Sequence, residues 1–311
     1  MMTFSIVIPT YNGKDFVEQA ILSALNQTRK ADEIIISDDN SADETIAICR
    51  KYSNNIKIYR NSNGPSGFVN GWNNAITYAT GEYISILHQD DLLAPTFIEE
   101  VEKALTVYPE VRHLFVPCNY IDETGEVLLE PNYCDGHIHK YTGKEYVMAY
   151  QSVGHPHIHR CPGVVTHRDI FKVCQYRTEA GHIADDDFFY RVGQYTDIIG
   201  ILKPLASYRL HQKSETGHLE SSKLIQRLAD CYIYQIKQWK GNAFLEKESY
   251  AYFIHWALYF AFSEYWIGLI QKNQRLIIKG KRDIFELKYM GLRLPLKKRL
   301  VFSLTSLFTS K

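Results

Sequence analysis

Three acidic clusters and one Arg/His pair have the residue types and spacing to do chemistry. Asp38-Asp39 ends one apolar run and Asp90-Asp91 ends another. Asp185-Asp186-Asp187 opens the segment Phe188-Phe189-Tyr190-Arg191, and Tyr208-Arg209-Leu210-His211 follows later. Carboxylates gathered at one place repel unless a cation or hydrogen-bond donors offset them. Hard divalent cations such as Mg²⁺ or Mn²⁺ take carboxylate oxygens and commonly bridge to phosphates. A helix start is favoured by negative charge, but one cap does not need three aspartates, so one of them is a candidate general base. Arg209 and His211, two apart in a strand, share a face suited to a diphosphate or a metal. Each cluster also has a plain reading. Asn40, Ser41 or Asp43 could cap a helix starting near Ala42, and Arg209 and His211 could simply face solvent.

Short apolar runs alternating with helical patterns would position these groups. Residues 4–8, 33–37, 56–59 and 83–88 read as strands, and 15–26, 42–52, 69–79 and 95–107 as helices. That alternation predicts an α/β fold with a mainly parallel sheet covered on both faces, where ligands bind beyond the carboxyl ends of the strands. The clusters at 38–39 and 90–91, and Pro9-Thr10-Tyr11-Asn12 after the first strand, then converge on one edge. Beyond 107 the pattern is less regular. Residues 113–120, 163–167 and parts of 198–210 read as strands, 122–125 as a turn and 185–193 as a helix. After about residue 215 only helices follow, including 221–239 and 246–270, with a soft boundary near Gly217.

The chain has 311 residues, 45% of them apolar and 23% charged, so it can bury a core and is not a mostly disordered chain. Its formal net charge of zero argues against a globally basic nucleic-acid binder. Residues 271–311 nevertheless carry eleven Lys/Arg against two acids, a net of +9, leaving −9 on residues 1–270. Such a basic tail is expected to meet something anionic. Six scattered cysteines with no Cys-x-x-Cys fit free thiols in a reducing cytoplasm. Met1 to Phe4 lead straight into a strand-like run, so no signal peptide is expected.

Taken together, the segments 5–13 (SIVIPTYNG), 33–41 (EIIISDDNS), 81–91 (GEYISILHQDD), 185–189 and 208–211 resemble glycosyltransferase family 2. The resemblance runs over about residues 3–215 and leaves the last ~95 outside it. It implies a GT-A fold, hence a catalytic domain over 1–216; the helix-only pattern beyond the boundary makes 217–311 a helical C-terminal extension. It also implies a nucleotide-diphospho-sugar donor, most often a UDP-sugar, Mn²⁺ or Mg²⁺, and inversion at the anomeric carbon. By position, Pro9, Thr10 and Tyr11 would line the nucleoside pocket, Asp39 would hydrogen-bond the base and Asp38 would support that loop. Asp91 would bind the metal, and Asp90 would contact the ribose or support the metal from behind. Asp185 would be the catalytic base; Arg209 and His211 would steady the leaving diphosphate, with His211 also a metal ligand. The implied enzyme is a hexosyl- or N-acetylhexosaminyltransferase. It would act on a glycan or lipid-linked glycan in cell-surface polysaccharide assembly, cytoplasmic or peripheral on the cytoplasmic membrane face. The alternatives are a catalytically silent nucleotide-sugar scaffold and a sugar nucleotidyltransferase; the latter would need a Gly-rich phosphate loop that is not found near the first strand.

Three positions depart from the family pattern. Trp72-Asn73 stands where an Arg-Asn pair is common, His88 replaces the first Asp of Leu-Asp-x-Asp-Asp, and Ala184 replaces a Glu before Asp185. The run His155-Pro156-His157-Ile158-His159 has no nearby Cys or carboxylate to complete a zinc shell, and an acceptor-side loop is the expected reading. Residues 251–270 carry an internal Glu264, which suits a buried or interfacial helix better than a membrane span. Residues 294–308 mix cations with apolar side chains, as membrane-surface segments do.

Overall fold

The computed structural model describes residues 2–151, 159–214, 221–244 and 248–290. Two compact units divide the chain, Met1–His218 and Leu219–Lys311.

The first unit is built on an eight-stranded sheet in the order β3-β2-β1-β4-β10-β6-β11-β9. In chain order its strands are β1 (Phe4–Thr10), β2 (Glu33–Asp38), β3 (Lys57–Arg60) and β4 (Tyr83–Ile86), with α1 (Val17–Leu25), α2 (Thr45–Arg50) and α3 (Phe68–Thr77) between them. β1, β2, β3 and β4 run parallel. The expected mixed, mainly parallel α/β fold is therefore present. β1 and β2 read as near-continuous apolar runs because helices cover both of their faces. Val17, Ala20, Ile21 and Ala24 recur at helical spacing and put one side of α1 into this core. Each fully buried Ile or Leu contributes roughly 1.5–3 kcal/mol relative to exposure.

A smaller sheet, β5-β12-β7-β8, stands beside the first. It follows from where the chain leaves the large one. After β5 (Leu92–Leu93) and α4 (Phe97–Val107), the stretch read as one strand over 113–120 splits into β6 (His113–Phe115) and β7 (Cys118–Ile121). Pro117 falls in the gap and cannot donate to a ladder, so the chain changes sheets there. Next come β8 (Val127–Leu129), β9 (Ile138–Tyr141), α5 (Gly143–Tyr150), β10 (Val164–His167), α6 (Ile170–Val173) and α7 (Ala184–Val192). The 198–210 stretch divides likewise, around Pro204, into β11 (Ile198–Ile201) and β12 (Ala206–Arg209). β12 pairs with β5 and β7, which carries Arg209 up against the Asp90-Asp91 loop.

Among the described residues, the second unit contains three helices, α8 (Ser221–Trp239), α9 (Glu248–Ile270) and α10 (Gln274–Tyr289). α9 and α10 approach closely at Gly280, where an added Cβ would lie 2.6 Å from the Tyr265 nitrogen. Glu264 is buried inside α9 and sits 3.3 Å from Lys279, the partner that its burial requires. Among the described residues, no helix is long and apolar enough to cross a membrane. Residues 294–308 lie outside the described part.

Candidate active site

The parallel register places Thr10 opposite Asp38, and Asp38 opposite Arg60, at the carboxyl edge of the large sheet. Two left-handed asparagines turn the chain there, Asn12 (φ 48°) and Asn40 (φ 69°), a conformation that Asn tolerates better than most residues. Their loops are tied together: Asn12 N–H donates to Ser41 Oγ (2.9 Å) and Ala42 N–H to Asn12 Oδ1 (2.9 Å). α2 starts at Thr45, later than the sequence suggests, because residues 39–44 are taken up by this loop. None of the expected residues is the N-cap, which is Glu44; Asp43, one residue earlier, accepts from Thr45 N–H (3.0 Å).

Asp38 accepts from Ser41 N–H (3.0 Å), Ser41 Oγ and Thr10 Oγ1 (3.3 Å), and pairs with Arg60 (3.3 Å). Asp39 has the more demanding arrangement. Its carboxylate accepts from Asn61 Nδ2 (2.8 Å), Ser66 N–H (2.7 Å), Ser66 Oγ (2.9 Å) and Gly67 N–H (3.1 Å). A carboxylate offers about four lone-pair sites, and all of them are used. Asp39 thus fastens the 61–67 loop to the sheet edge, and a nucleobase N–H reaches it only by displacing one of these donors. A polar cleft opens beside it, lined by Ser37, Arg60, Asn61, Asn74 and Tyr78. On the β1 side, Tyr11 is 47% exposed while its backbone is clamped in both directions by Gln89: Tyr11 N–H to Oε1 (2.9 Å) and Nε2–H to Tyr11 O (3.1 Å). Gly13 makes room for that side chain, since a Cβ there would fall 2.0 Å from Gln89 Oε1. Sequence reading did not single out Gln89.

Asp90 and Asp91 follow β4. Asp91 is 1% exposed; its Oδ1 accepts Arg209 N–H (2.9 Å), while its buried Oδ2 has no hydrogen-bond partner. Burial, reinforced by the charge of Asp90, pushes its carboxyl well above the usual range. Burial acts the same way on Asp90, but the His211 hydrogen bond (2.8 Å) and the nearby His88 overturn it and leave the group below the usual value. His88, Asp90 and Asp91 bring one donor atom each to within 4.8 Å of one another. Of the expected metal pair, Asp91 is in this group and His211 is not. His211 stands behind Asp90, its Nε2 engaged there, and it is His88 that joins Asp91. The donor set fits a divalent cation, and the orphaned Asp91 oxygen is the atom that needs one.

Arg209 is 1% exposed; its guanidinium lies 4.7 Å over the Phe16 ring and donates to Asp90 O, Asp122 O, Glu123 O and Gln19 Oε1. In that position it braces the acidic loop.

The three aspartates at the start of α7 separate cleanly. Asp187 pairs with Arg191 (2.6 Å), and Asp186 accepts from Tyr150 Oη (2.7 Å). Asp185 is half-buried, less enclosed than its two neighbours, and is held by Asp186 N–H (3.0 Å). Burial and the Asp186 charge raise it to about 6, with His88 and Arg160 pulling the other way. Arg160, donating to Tyr120 Oη (3.0 Å) and lying 5.8 Å over both Tyr120 and Tyr208, supplies the cation on this side. His159 is buried against Phe115 and hydrogen-bonded to Tyr146 (2.7 Å), a core histidine; His155 and His157 lie outside the described residues.

Comparisons with known proteins bear on the family and the fold. Residues 5–161 match the model of glycosyl transferase family 2. An uncharacterised glycosyltransferase of Rickettsia prowazekii is 29% identical over 215 residues, spanning 68% of this chain and 65% of the relative, so the match covers less than two thirds of its length. A GalNAc(5)-diNAcBac-PP-undecaprenol β-1,3-glucosyltransferase of Campylobacter jejuni is 35% identical over 134 residues, 42% of each protein. Among solved structures, S. aureus TarS residues 1–349 with UDP-GlcNAc align at a TM-score of 0.59 over 94% of this chain and 93% of that one, with 14% identity. The mannosyltransferase PcManGT of Pyrobaculum calidifontis, with GDP-Man and Mn²⁺, aligns at 0.57 over 100% and 81%, with 16% identity. These last two likenesses bear on the fold, which is GT-A. With about half of the chain matched to the family model and the acidic clusters gathered at one sheet edge, the protein belongs to glycosyl transferase family 2.

Proposed function

We propose that the protein is an inverting, metal-dependent glycosyltransferase that moves a sugar from a nucleotide-diphospho-sugar to a hydroxyl of a glycan or lipid-linked glycan, with the chemistry in residues 1–216 and residues 217–311 as a helical extension. The observation that carries this reading is Asp185. It alone of the three aspartates at the start of α7 is not fully buried, and its raised carboxyl shares the electrostatic environment of His88, within the cluster that holds Asp91. His88, Asp90 and Asp91 would hold a divalent cation, which would offset diphosphate charge as a Lewis acid. The donor base rests against Pro9, Thr10 and exposed Tyr11, beside the wall that Asp38 and Asp39 fix in place. Asp185 accepts the proton of the acceptor hydroxyl attacking the opposite face of the sugar, through an oxocarbenium-like state. Arg160 lies close enough to favour the ionised form of that base.

The class is tested by incubating the protein with Mn²⁺ and a panel of nucleotide-sugars and measuring nucleoside diphosphate release. Release from one donor, stopped by EDTA, is expected and names the sugar. Pyrophosphate release instead would identify a nucleotidyltransferase. Binding of UDP without turnover on any donor or acceptor would identify a silent scaffold.

The rate should rise with pH through an acid limb. A base at about 6 is about one-eleventh ionised at pH 5 and mostly ionised at pH 7, so kcat/KM at pH 5 should be roughly a tenth of its plateau. A bound cation would move the limb lower. The same raised carboxyl stabilises the fold only while protonated, fully so below about pH 4, and that stability is lost as pH rises through about 6. A flat profile from pH 5 to 8 would take the base role from Asp185.

We place membrane contact on the second unit too. Along α10, Ile278, Phe285 and Tyr289 are exposed on the face that also carries Arg275, Lys281 and Arg282. Lys288 reaches over the Phe285 ring at 5.5 Å. The acids of this helix are withdrawn, Asp283 by burial and Glu286 by pairing with Lys237. Cations interleaved with aromatic and aliphatic side chains complement an anionic bilayer surface. Replacing Ile278 and Phe285 together by Ser should lower partitioning onto phosphatidylglycerol vesicles about tenfold. Unchanged partitioning would assign the contact elsewhere, with loss on deleting 294–311 pointing to the tail.

A further inference from the structure

The two departures at 72 and 88 are in contact. The Trp72 indole stacks on the His88 imidazole with ring centroids 5.0 Å apart and 19° between planes. Trp72 is itself fixed: Tyr176 meets it edge-on at 5.3 Å and Phe68 at 5.1 Å. The next residue, Asn73, binds the Tyr176 main chain from both sides, donating to its carbonyl (2.9 Å) and accepting its N–H (3.2 Å). α3 is thereby bolted to the segment before α7, and the aromatic wall sets the plane of His88.

That plane points His88 Nδ1 at Asp91 Oδ2, 3.6 Å away. Two donors on one first-row ion, each about 2.1 Å from it, lie about 3–3.5 Å apart, so the observed spacing is within a few tenths of an ångström of a shared ion. Asp91 is 1% exposed and its Oδ2 has no partner, while the other nitrogen of His88 is also buried without one. An imidazole and a carboxylate left open toward each other in this way leave room for a shared cation.

We infer that His88, oriented by Trp72, is a direct ligand of the divalent cation at this site, and that this nitrogen donor tilts the site's preference from Mg²⁺ toward Mn²⁺. The inference rests on the metal-dependent reading above. Oxygen-only shells suit Mg²⁺, whereas an imidazole nitrogen favours first-row transition ions, with affinity rising along the series that starts at Mn²⁺.

Pulsed electron paramagnetic resonance on the Mn²⁺-loaded full chain, alone and with UDP, reads ligation directly. A directly bound ¹⁴N modulation is expected, altered when histidine is ¹⁵N-labelled. It should vanish in His88→Asp and persist in His211→Gln. By calorimetry with each metal alone, His88→Asp should lower the Mn²⁺/Mg²⁺ affinity ratio at least tenfold; circular dichroism checks that the variant is folded. Trp72→Ala should weaken Mn²⁺ binding several-fold and Trp72→Phe restore it; if Trp72→Ala matches wild type, Trp72 has no orienting role. No nitrogen coupling in the wild type, or coupling that survives His88→Asp, overturns the inference. Donor turnover that persists in either case leaves the glycosyltransferase reading standing, whereas absence of both metal binding and turnover defeats that reading as well.

Discussion

Asp185→Asn is expected to leave donor binding intact and to lower sugar transfer by about 10²–10⁴-fold, the usual contribution of a positioned general base. The substitution keeps the shape of the side chain, and its amide oxygen can still accept from Asp186 N–H. What it removes is the basic oxygen. Its two neighbours provide the contrast. Asp187 is 0% exposed and pairs with Arg191, which also donates to Gln175 O (2.6 Å) and Cys174 Sγ (3.0 Å). Asp187→Asn breaks a buried ion pair while leaving its cation in place, an event that typically costs about 3–5 kcal/mol. Asp187→Asn should therefore lower the melting temperature and Asp185→Asn should not. Nucleoside diphosphate release, UDP calorimetry and thermal melting separate the three effects. Near-wild-type turnover of Asp185→Asn would move the base elsewhere.

That separation shows where sequence reading stops. The strand–helix alternation over 4–107 was legible because buried parallel strands must be continuously apolar and their covering helices must repeat every 3.6 residues. The edge on which Asp38, Asp90 and Asp91 meet follows from that alternation alone. The small sheet was not foreseen as a separate layer, although Pro117 and Pro204 mark both crossings, because a short apolar run does not reveal which sheet it joins. Roles within clusters were less legible still. Arg209 and His211 share a strand face as their spacing says, yet only the fold shows Arg209 held among main-chain carbonyls and His211 behind Asp90. Asp39 reads the same on paper whether its lone pairs are open or filled. His88 and Trp72 look like two separate departures when sixteen residues apart in sequence; packing makes them one unit.

The same distinction between a residue kept for the fold and one kept for the site gives the sharpest expectation at Asp91. Asp91→Asn should abolish metal-dependent transfer and, in metal-free protein at neutral pH, raise the melting temperature. A buried carboxylate oxygen without a partner beside the charge of Asp90 is a cost that the folded state carries, and its carboxyl is displaced well above the usual range for that reason. A carboxyl raised in the folded state binds its proton more tightly there than in the unfolded chain. Its stabilising form is therefore fully present below about pH 4, near the unfolded value, and is lost as pH rises through the displaced one. Asparagine keeps the acceptor for Arg209 N–H and removes the charge. A gain of about 1–2 kcal/mol would raise the melting temperature by about 2–8 °C in a unit of this size. The gap should close as pH falls, because the wild-type carboxyl then takes up its proton. Mn²⁺ should raise the melting temperature of wild type at neutral pH and leave the variant unmoved, since the ion answers the charge that the variant lacks. A metal-free variant that melts below wild type at pH 7 would mean that Asp91 already has its partner within the fold, and the case for a cation at this site would go with it.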